Sequence, residues 1–186
     1  NAAGVMTESI VTFYDEVWRD AAGCNNATAG TIWNNNTANP PAYACEGTNT
    51  RLATADFDAT TDEGFDGSFR LPTGFTGAID AIFRWKAAAT SGAVGWCLQL
   101  VRVPTGATSD PSLPAQASGN CVSSTVAGTT LQEVEATISG VTCTSCAAGD
   151  RVNFRVSRDA DGGAVTDSMT GDGKLIGWMT RIRRTL

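Results

Sequence analysis

Paired carboxylates are the residues of this sequence that come nearest to a catalytic arrangement. Asp62 adjoins Glu63, and Glu133 lies two residues from Glu135, so each pair could in principle supply the acid and base of a glycosidase. The second pair shares one face of a predicted strand, where charged side chains are usually just solvated. The sequence has no histidine, no Gly-x-Ser-x-Gly and no Gly-x-x-x-x-Gly-Lys, so the usual general base, nucleophile motif and phosphate loop are missing. We therefore predict no catalytic residue and no enzyme activity.

Aspartates between positions 159 and 172 are the candidate ligands for a cation. Asp159-Ala-Asp161-Gly-Gly begins like a calcium-binding loop, but Gly163 stands where a ligand is needed and no glutamate closes the loop. Asp167 and Asp172 could still join the first two around an ion, although Asp-Gly clusters are ordinary turn formers. We predict no metal site and no cofactor.

Six cysteines supply the remaining chemistry: Cys24, Cys45, Cys97, Cys121, Cys143 and Cys146. An even number in a small chain favours disulfides in an exported protein, at an oxidising extracellular or particle-surface location, over free core thiols in a cytosolic protein. Six cysteines allow fifteen pairings, and loop sizes favour the nearest neighbours, Cys24–Cys45, Cys97–Cys121 and Cys143–Cys146. The last pair is a C-x-x-C in a turn cluster, without a second such pair, and we interpret it as a local bridge and not as a redox or zinc site.

Charge and composition exclude two classes of partner. The chain has 186 residues and a mass of 19.3 kDa, and its formal net charge is −6 without a basic stretch, which is unfavourable for binding nucleic acid. No apolar run approaches the roughly 18 residues of a membrane-spanning helix. Hydrophobic residues make up 42% of the chain and charged residues only 17%. These values predict a globular protein built from strands and turns.

Short β-rich runs separated by turn clusters make up the sequence from residue 51 onward. Ile79, Phe83 and Trp85 fall on one face of a predicted strand, and charged residues fall on the other. Residues 150–158 alternate in the same way. Helix signals are almost absent, so the pattern predicts an all-β protein, an antiparallel β-sandwich of the jelly-roll type.

The first fifty residues differ in composition from the rest. Residues 8–19 are rich in β-branched and aromatic residues and predict a strand. Residues 20–50 are dense in Asn, Gly, Thr and Pro and predict a long loop, which a Cys24–Cys45 bridge would staple. This loop also contains Asn-x-Thr sequons at Asn26 and Asn35, whose glycosylation stays open. We therefore divide the chain into an N-terminal strand and stapled-loop extension, 1–50, and a β-sandwich domain, 51–186.

Two predicted strands, 93–103 and 174–183, are apolar on both faces. Such strands are covered by loops of their own chain or by another copy of it. The N-terminal strand could add to the edge of a neighbour's sheet, or, equally well, pair within its own domain. The residues of this predicted assembly interface are apolar and close together: Ile10, Val11, Phe13, Tyr14, Val17 and Trp18.

Two stretches carry a family resemblance. They are FDATTDEGFDGSFRLPTGFTGAIDAIFRWKAAATSGAVGWCLQLVRV at 57–103 and RVSRDADGGAVTDSMTGDGKLIGW at 155–178. Their Asp-Glu pair, LP turn, W…ATSG.V.W segment and D.MTGD..L segment resemble small jelly-roll structural modules of tailed-phage virions and related environmental bacterial proteins. The resemblance implies a jelly-roll fold and a structural, non-catalytic role. Residues 1–50 lie outside the resemblance, and so do the six cysteines as a set, and this departure favours an exported, disulfide-stapled relative.

These observations together predict a non-enzymatic structural subunit whose partners are copies of itself. It would assemble into an extracellular filament, a surface layer or a virion surface through its N-terminal strand. The alternative is a carbohydrate-binding β-sandwich module of a secreted protein or phage adhesin, whose partners are glycans. Exposed aromatic side chains that stack on sugar rings would favour this alternative.

Overall fold

The computed structural model describes residues 8–16, 34–35, 39–47, 49, 52–108 and 110–185. These residues contain strands and no helix, and every strand pair is antiparallel. The prediction of an all-β antiparallel sandwich is therefore confirmed. Within the described ranges, no helix is long and apolar enough to cross a membrane. The strands are β1 (Glu8–Glu16), β2 (Asn34–Asn35), β3 (Ala42–Glu46), β4 (Leu52–Phe57), β5 (Gly64–Arg70), β6 (Phe75–Lys86), β7 (Ala93–Val103), β8 (Cys121–Thr125), β9 (Val134–Ile138), β10 (Arg151–Arg158) and β11 (Gly173–Thr185).

The strands form two sheets whose order differs from the order along the chain. The six-stranded sheet runs β3-β4-β11-β6-β9, and β1 also pairs with β11. The five-stranded sheet runs β2-β5-β10-β7-β8. Strands that are far apart in sequence are thus neighbours in space, as in a jelly roll. The polar outer face of the five-stranded sheet is the part of this architecture that matters for the candidate site.

The core between the sheets is centred on Trp96. Its ring lies 5.1 Å from that of Phe57, 5.9 Å from that of Phe83 and 5.9 Å from that of Trp85, measured between ring centroids. Trp85 also donates its indole N–H to Ser124 Oγ at 3.0 Å, which satisfies a buried donor. As the sequence predicts, the period-two alternation in β6 and β7 places the large rings of both strands in the core between the sheets.

The outer face of β7, one of the two strands that are apolar on both faces, is covered by its own chain. Cys97 points outward and is bridged to Cys121 of β8, which lies directly opposite it in the register. Gln99 also points outward, and its Nε2 donates to the carbonyl of Pro114 in the segment that follows β7. The excess of apolar residues in β7 is thus explained without a second copy of the chain.

Strands from the predicted extension pair with strands of the predicted sandwich domain. β1 pairs with β11, β2 with β5 and β3 with β4. The N-terminal strand accordingly pairs within its own chain, which the sequence left open beside a role as connector. The division at residue 50 stays a prediction, and Val17 and Trp18 lie outside the described residues.

Two of the three predicted disulfides are present, Cys97–Cys121 and Cys143–Cys146. Cys45 is also disulfide-bonded, while its predicted partner, Cys24, lies outside the described residues. The part of the chain that the structure describes contains no free cysteine.

Replacing Gly67 with alanine is expected to lower the free energy of unfolding by about 1–3 kcal/mol. A Cβ at this position would lie 2.4 Å from Cζ of Phe154. That ring cannot easily move, because it is buried against Trp178 with 4.6 Å between ring centroids. Urea denaturation measures the loss. The control is Gly119→Ala, where an added Cβ meets nothing within 4 Å, and equal losses in the two variants would contradict this packing argument.

Candidate functional site

A polar groove lies over the outer face of the five-stranded sheet. In β5, β10 and β7, outward side chains alternate with core residues, and the strand register aligns them in rows. Successive rows are Asp66–Arg155–Gln99, Ser68–Asn153–Val101 and Arg70–Arg151–Val103. The polar members Asp66, Arg155, Gln99, Ser68, Asn153 and Arg151 form the floor of a space that we call the sheet groove.

Residues 110–120 belong to the segment that joins β7 to β8, and we call them the roof segment; its residues 110–115 line the opposite wall of the sheet groove. It is tied to the floor, because Gln99 Nε2 donates to the carbonyl of Pro114 at 2.6 Å. Its own turn is held by Asn120, whose Oδ1 accepts from Ala117 N at 2.8 Å. The open space between the floor and the roof segment has a volume of about 880 Å³, which lies within the range of small-molecule sites.

The charges that line the sheet groove are balanced. Arg155 donates from Nε to Asp66 Oδ1 at 2.6 Å and from Nη2 to Oδ2 at 2.8 Å, and these hydrogen bonds raise the pKa of Arg155. Arg151 and Asp110 add one further charge of each sign, so the lining is formally neutral. The remaining polar groups of the lining are hydroxyls and carboxamides, from Ser68, Gln99, Ser112 and Asn153.

A smaller space of about 260 Å³ adjoins the sheet groove and extends it, and we call it the side hollow. The two spaces share Gln99 and Arg155. Asp62 and Glu63 line the side hollow, and burial is the main cause that raises the pKa of both carboxyls. The side hollow is therefore the more acidic end of the site.

Three aspartates at the side hollow are the described residues that could share a cation: oxygens of Asp62, Asp159 and Asp161 lie within 4.8 Å of one another. Oδ2 of the buried Asp159 accepts from Val165 N at 2.7 Å. The amide nitrogen of Gln116, when turned towards the cluster, donates to Asp62 Oδ2 at 2.9 Å and to Asp159 Oδ1 at 3.1 Å. The Gln116 amide thus bridges two of the three aspartates, and the cluster organises the loop that follows β10.

Asp167, which the sequence analysis considered as a further candidate ligand, belongs to a different arrangement. It forms a buried ion pair with Arg158, with 2.8 Å between Oδ2 and Nε. Asp172, the fourth candidate considered, is exposed and lies outside the acidic group. The described structure therefore brings Asp159 and Asp161 together with Asp62, which the sequence did not associate with them.

Of the two carboxylate pairs considered as catalytic residues, Asp62 and Glu63 line the side hollow, whereas Glu133 and Glu135 lie on the other sheet. Glu133 lies beside β9 of the other sheet, 4.0 Å from Arg84, and both side chains are about half exposed, at 53% and 46%. Glu135 lies opposite Arg84 in the register of β9 and β6. Glu63 accepts from Asp58 N at 2.6 Å. Glu133 and Glu135 thus lie on a solvent-exposed surface, as their two-residue spacing on one strand face indicated.

The predicted assembly residues within the described part of the chain lie in β1. In the register, Ile10, Val11, Phe13 and Tyr14 are opposite Arg183, Ile182, Thr180 and Met179. Their role in assembly stays a prediction.

The sheet groove could not be found from the sequence. The alternation in β10 placed Arg151, Asn153 and Arg155 on the solvent face of a strand, and the structure places them there. The sequence does not show the identity of the neighbouring strands or the path of the roof segment. The regular polar face of β10 was the one signal available.

Comparisons with known proteins concern the fold of this chain. No protein-family profile and no curated protein matches it. An isomalto-dextranase of Arthrobacter globiformis T6, complexed with panose, is similar in structure with a TM-score of 0.47, 14% identity, and coverage of 91% of this chain and 23% of that one. A carbohydrate-binding module described for specific mannan recognition, TmCBM27, has a TM-score of 0.38 and 7% identity, over 95% of this chain and 98% of that one. The enzymatically active domain of tailspike protein 4 of Bacteriophage CBA120 has a TM-score of 0.35 and 6% identity, over 97% of this chain and 19% of that one.

These similarities do not assign the chain to a family, because identities are 14% or less and TM-scores are below 0.5. The chain also spans less than a quarter of the isomalto-dextranase, 23% of its length. The candidate function therefore depends on the site itself.

Proposed function

We propose that the sheet groove binds a neutral carbohydrate and that this chain is a glycan-binding module of a secreted or surface-exposed protein. The observation that carries the proposal is the formally neutral, polar lining of a space of about 880 Å³. A sugar presents many hydroxyls and no net charge, so it can exchange hydrogen bonds with such a lining without leaving a buried charge unpaired.

The floor of the sheet groove is organised before any ligand arrives. The two-point hydrogen bond between Arg155 and Asp66 fixes a planar guanidinium and a carboxylate side by side. The hydrogen bond to Pro114 fixes the carboxamide of Gln99. Because these groups are already ordered, binding costs less side-chain entropy.

Hydrogen bonding, and not stacking, is expected to provide most of the affinity. Among the residues from 39 onward whose side chains the structure describes, Leu131 is the one large hydrophobic side chain that is exposed, so no exposed aromatic ring is found among them for stacking on a sugar. Phe154 borders the sheet groove but is 3% exposed. Binding should therefore be driven by enthalpy, and it should depend little on salt because the charges of the lining are balanced.

The proposal is one of binding without turnover, at an extracellular location. Asp66 is engaged by Arg155, and Asp62 and Glu63 accept hydrogen bonds from Ala160 N and Asp58 N, so the proposal gives none of these carboxyls a role in glycoside hydrolysis. The bridges Cys97–Cys121 and Cys143–Cys146 support an oxidising environment.

Replacing Ser68 with tryptophan is expected to weaken glycan binding by about tenfold or more, because a large ring on the exposed floor fills the space that a sugar needs. Binding is measured by affinity electrophoresis through gels that contain dextran, mannan or a mixed-linked β-glucan, with an anionic polyuronate for comparison. The wild-type chain should be retarded by a neutral polysaccharide and much less by the polyuronate.

The matched control is Thr137→Trp, which adds the same ring at an exposed strand position on the outer face of the other sheet. This variant should bind as the wild type does. The proposal is wrong if no neutral polysaccharide retards the wild type, or if both tryptophan variants bind equally well.

A further inference from the structure

β1 has one strand partner in the described structure, and that partner is β11. Nine residue pairs join them, from Glu8 opposite Thr185 to Glu16 opposite Gly177. On the same edge of β11, β4 pairs only with Gly173–Leu175. β1 therefore occupies the whole remaining length of that edge.

The edge that β1 occupies borders the core. Trp178, Thr180 and Ile182 of β11 are almost fully buried, and in the register they lie opposite Asp15, Phe13 and Val11. Without a strand in this position, the backbone N–H and C=O groups that point to this side of β11 between Gly177 and Thr185 would form an open edge. The fold thus needs a strand there, but the pairing does not require that it come from the same chain.

The chain that follows β1 is long enough for the strand to reach another molecule. Residues 17–33 separate β1 from β2, and seventeen extended residues span roughly 60 Å. If Cys24 is tethered as predicted, the free length from Glu16 is eight residues, still about 27 Å. A sandwich of this size has a radius of gyration of about 16 Å, so either length reaches an adjacent copy.

We propose that β1 of one copy of this chain occupies the β11 edge of a second copy, in the register seen within the single chain. β1 makes the same contacts with β11 of its own chain and with β11 of a second copy, so exchange loses no strand pairing. The protein concentration then decides which of the two forms predominates. Because the donor β1 and the acceptor β11 are different surfaces, the contact is head-to-tail, and each copy keeps one donor and one acceptor. Repetition gives a ring where the rotation between copies closes and an open filament where it does not. Either assembly would form through the N-terminal strand and would not depend on glycan binding.

Cysteines placed at opposite register positions test this exchange. Thr12 lies opposite Arg181, and Arg181 is exposed, so Thr12→Cys with Arg181→Cys in one chain can bridge across the strand pair. The concentrated protein is oxidised mildly and run on a non-reducing denaturing gel. Exchange between copies gives a ladder of covalent oligomers. A monomer closed by its own new bridge, or the absence of any new bridge, overturns the proposal.

A mixture of two single variants provides a second test that does not depend on one chain carrying both changes. Thr12→Cys chains are mixed with Arg181→Cys chains, unfolded, refolded together and oxidised. The proposal expects a covalent dimer that contains one chain of each kind. The control mixture pairs Thr12→Cys with Arg183→Cys, which lies two residues out of register opposite Ile10, and it should give several-fold less dimer. Equal amounts of dimer in the two mixtures contradict the register that we propose.

Discussion

Replacing Arg158 with methionine is expected to lower the free energy of unfolding by about 3–5 kcal/mol. For a chain of this length, such a loss lowers Tm by on the order of 10 °C. Arg158 is 0% exposed. Its guanidinium pairs with both oxygens of Asp167 at 2.8 Å, and it donates to the carbonyls of Phe57, Met169 and Gly171 at 3.0, 2.9 and 2.8 Å.

The large loss of stability in Arg158→Met follows from the buried group that is left without its partner. Asp167 has a side chain that is only 2% exposed, so the variant leaves a buried carboxylate without its partner, which costs more than the ion pair itself contributes. Gly95 N still donates to Asp167 Oδ2 at 3.0 Å. Adding Asp167→Asn removes the charge but keeps an acceptor for this donor, so the double variant should recover part of the loss.

Arg155→Met is the matched control. Arg155 lies in the same strand and forms the same two-point pair with an aspartate, but the side chains of Arg155 and Asp66 are 28% and 34% exposed. Water screens this pair, so its loss should cost only about 0–1 kcal/mol. Urea denaturation of the three variants beside the wild type measures the differences. If Arg158→Met and Arg155→Met lower the free energy of unfolding equally, burial of the ion pair does not determine how much stability its loss removes.

Replacing both Cys97 and Cys121 with alanine is expected to lower the free energy of unfolding by about 3 kcal/mol. The bridge joins residues with a sequence separation of 24, and it therefore restricts the unfolded chain over the whole roof segment. Cys121 directly follows Asn120, which holds the turn of the roof segment. We also expect this variant to bind glycan more weakly, because one wall of the sheet groove loses its anchor.

The short bridge provides the comparison for this second prediction. Cys143 and Cys146 have a sequence separation of only 3, so their replacement by alanine should cost about 2 kcal/mol through loop closure. It should leave the sheet groove unchanged. Unfolding is followed in urea without a reducing agent, so that the other bridges stay intact. If removing the Cys97–Cys121 bridge lowers the free energy of unfolding by less than removing the Cys143–Cys146 bridge, loop closure does not explain the contribution of the longer bridge.

The alternation of side chains along the sequence is enough to determine the fold class. In β10, Val152, Phe154 and Val156 point into the core while Arg151 and Arg155 face outward, as period two requires. This information is local, because residues two apart in a strand always share a face. The two bridges seen in the described residues also join nearest neighbours in sequence, and nearest neighbours are what loop sizes favour.

The tertiary structure alone decided the candidate site. Asp66, Gln99 and Arg155 form one row of the sheet groove, although they are tens of residues apart in sequence. The sheet order places β10 between β5 and β7, and the sequence does not show which strands are neighbours.

Arg158 is a single residue whose neighbours in space could likewise not be predicted from the sequence. By its position in the alternation it faces inward, where an arginine is normally excluded. It is accommodated because the loop after β10 brings Asp167 and the carbonyls of Met169 and Gly171 around it. Periodicity fixes the face on which a residue lies, but the groups that meet it there are set by long-range packing, which depends on the whole chain at once.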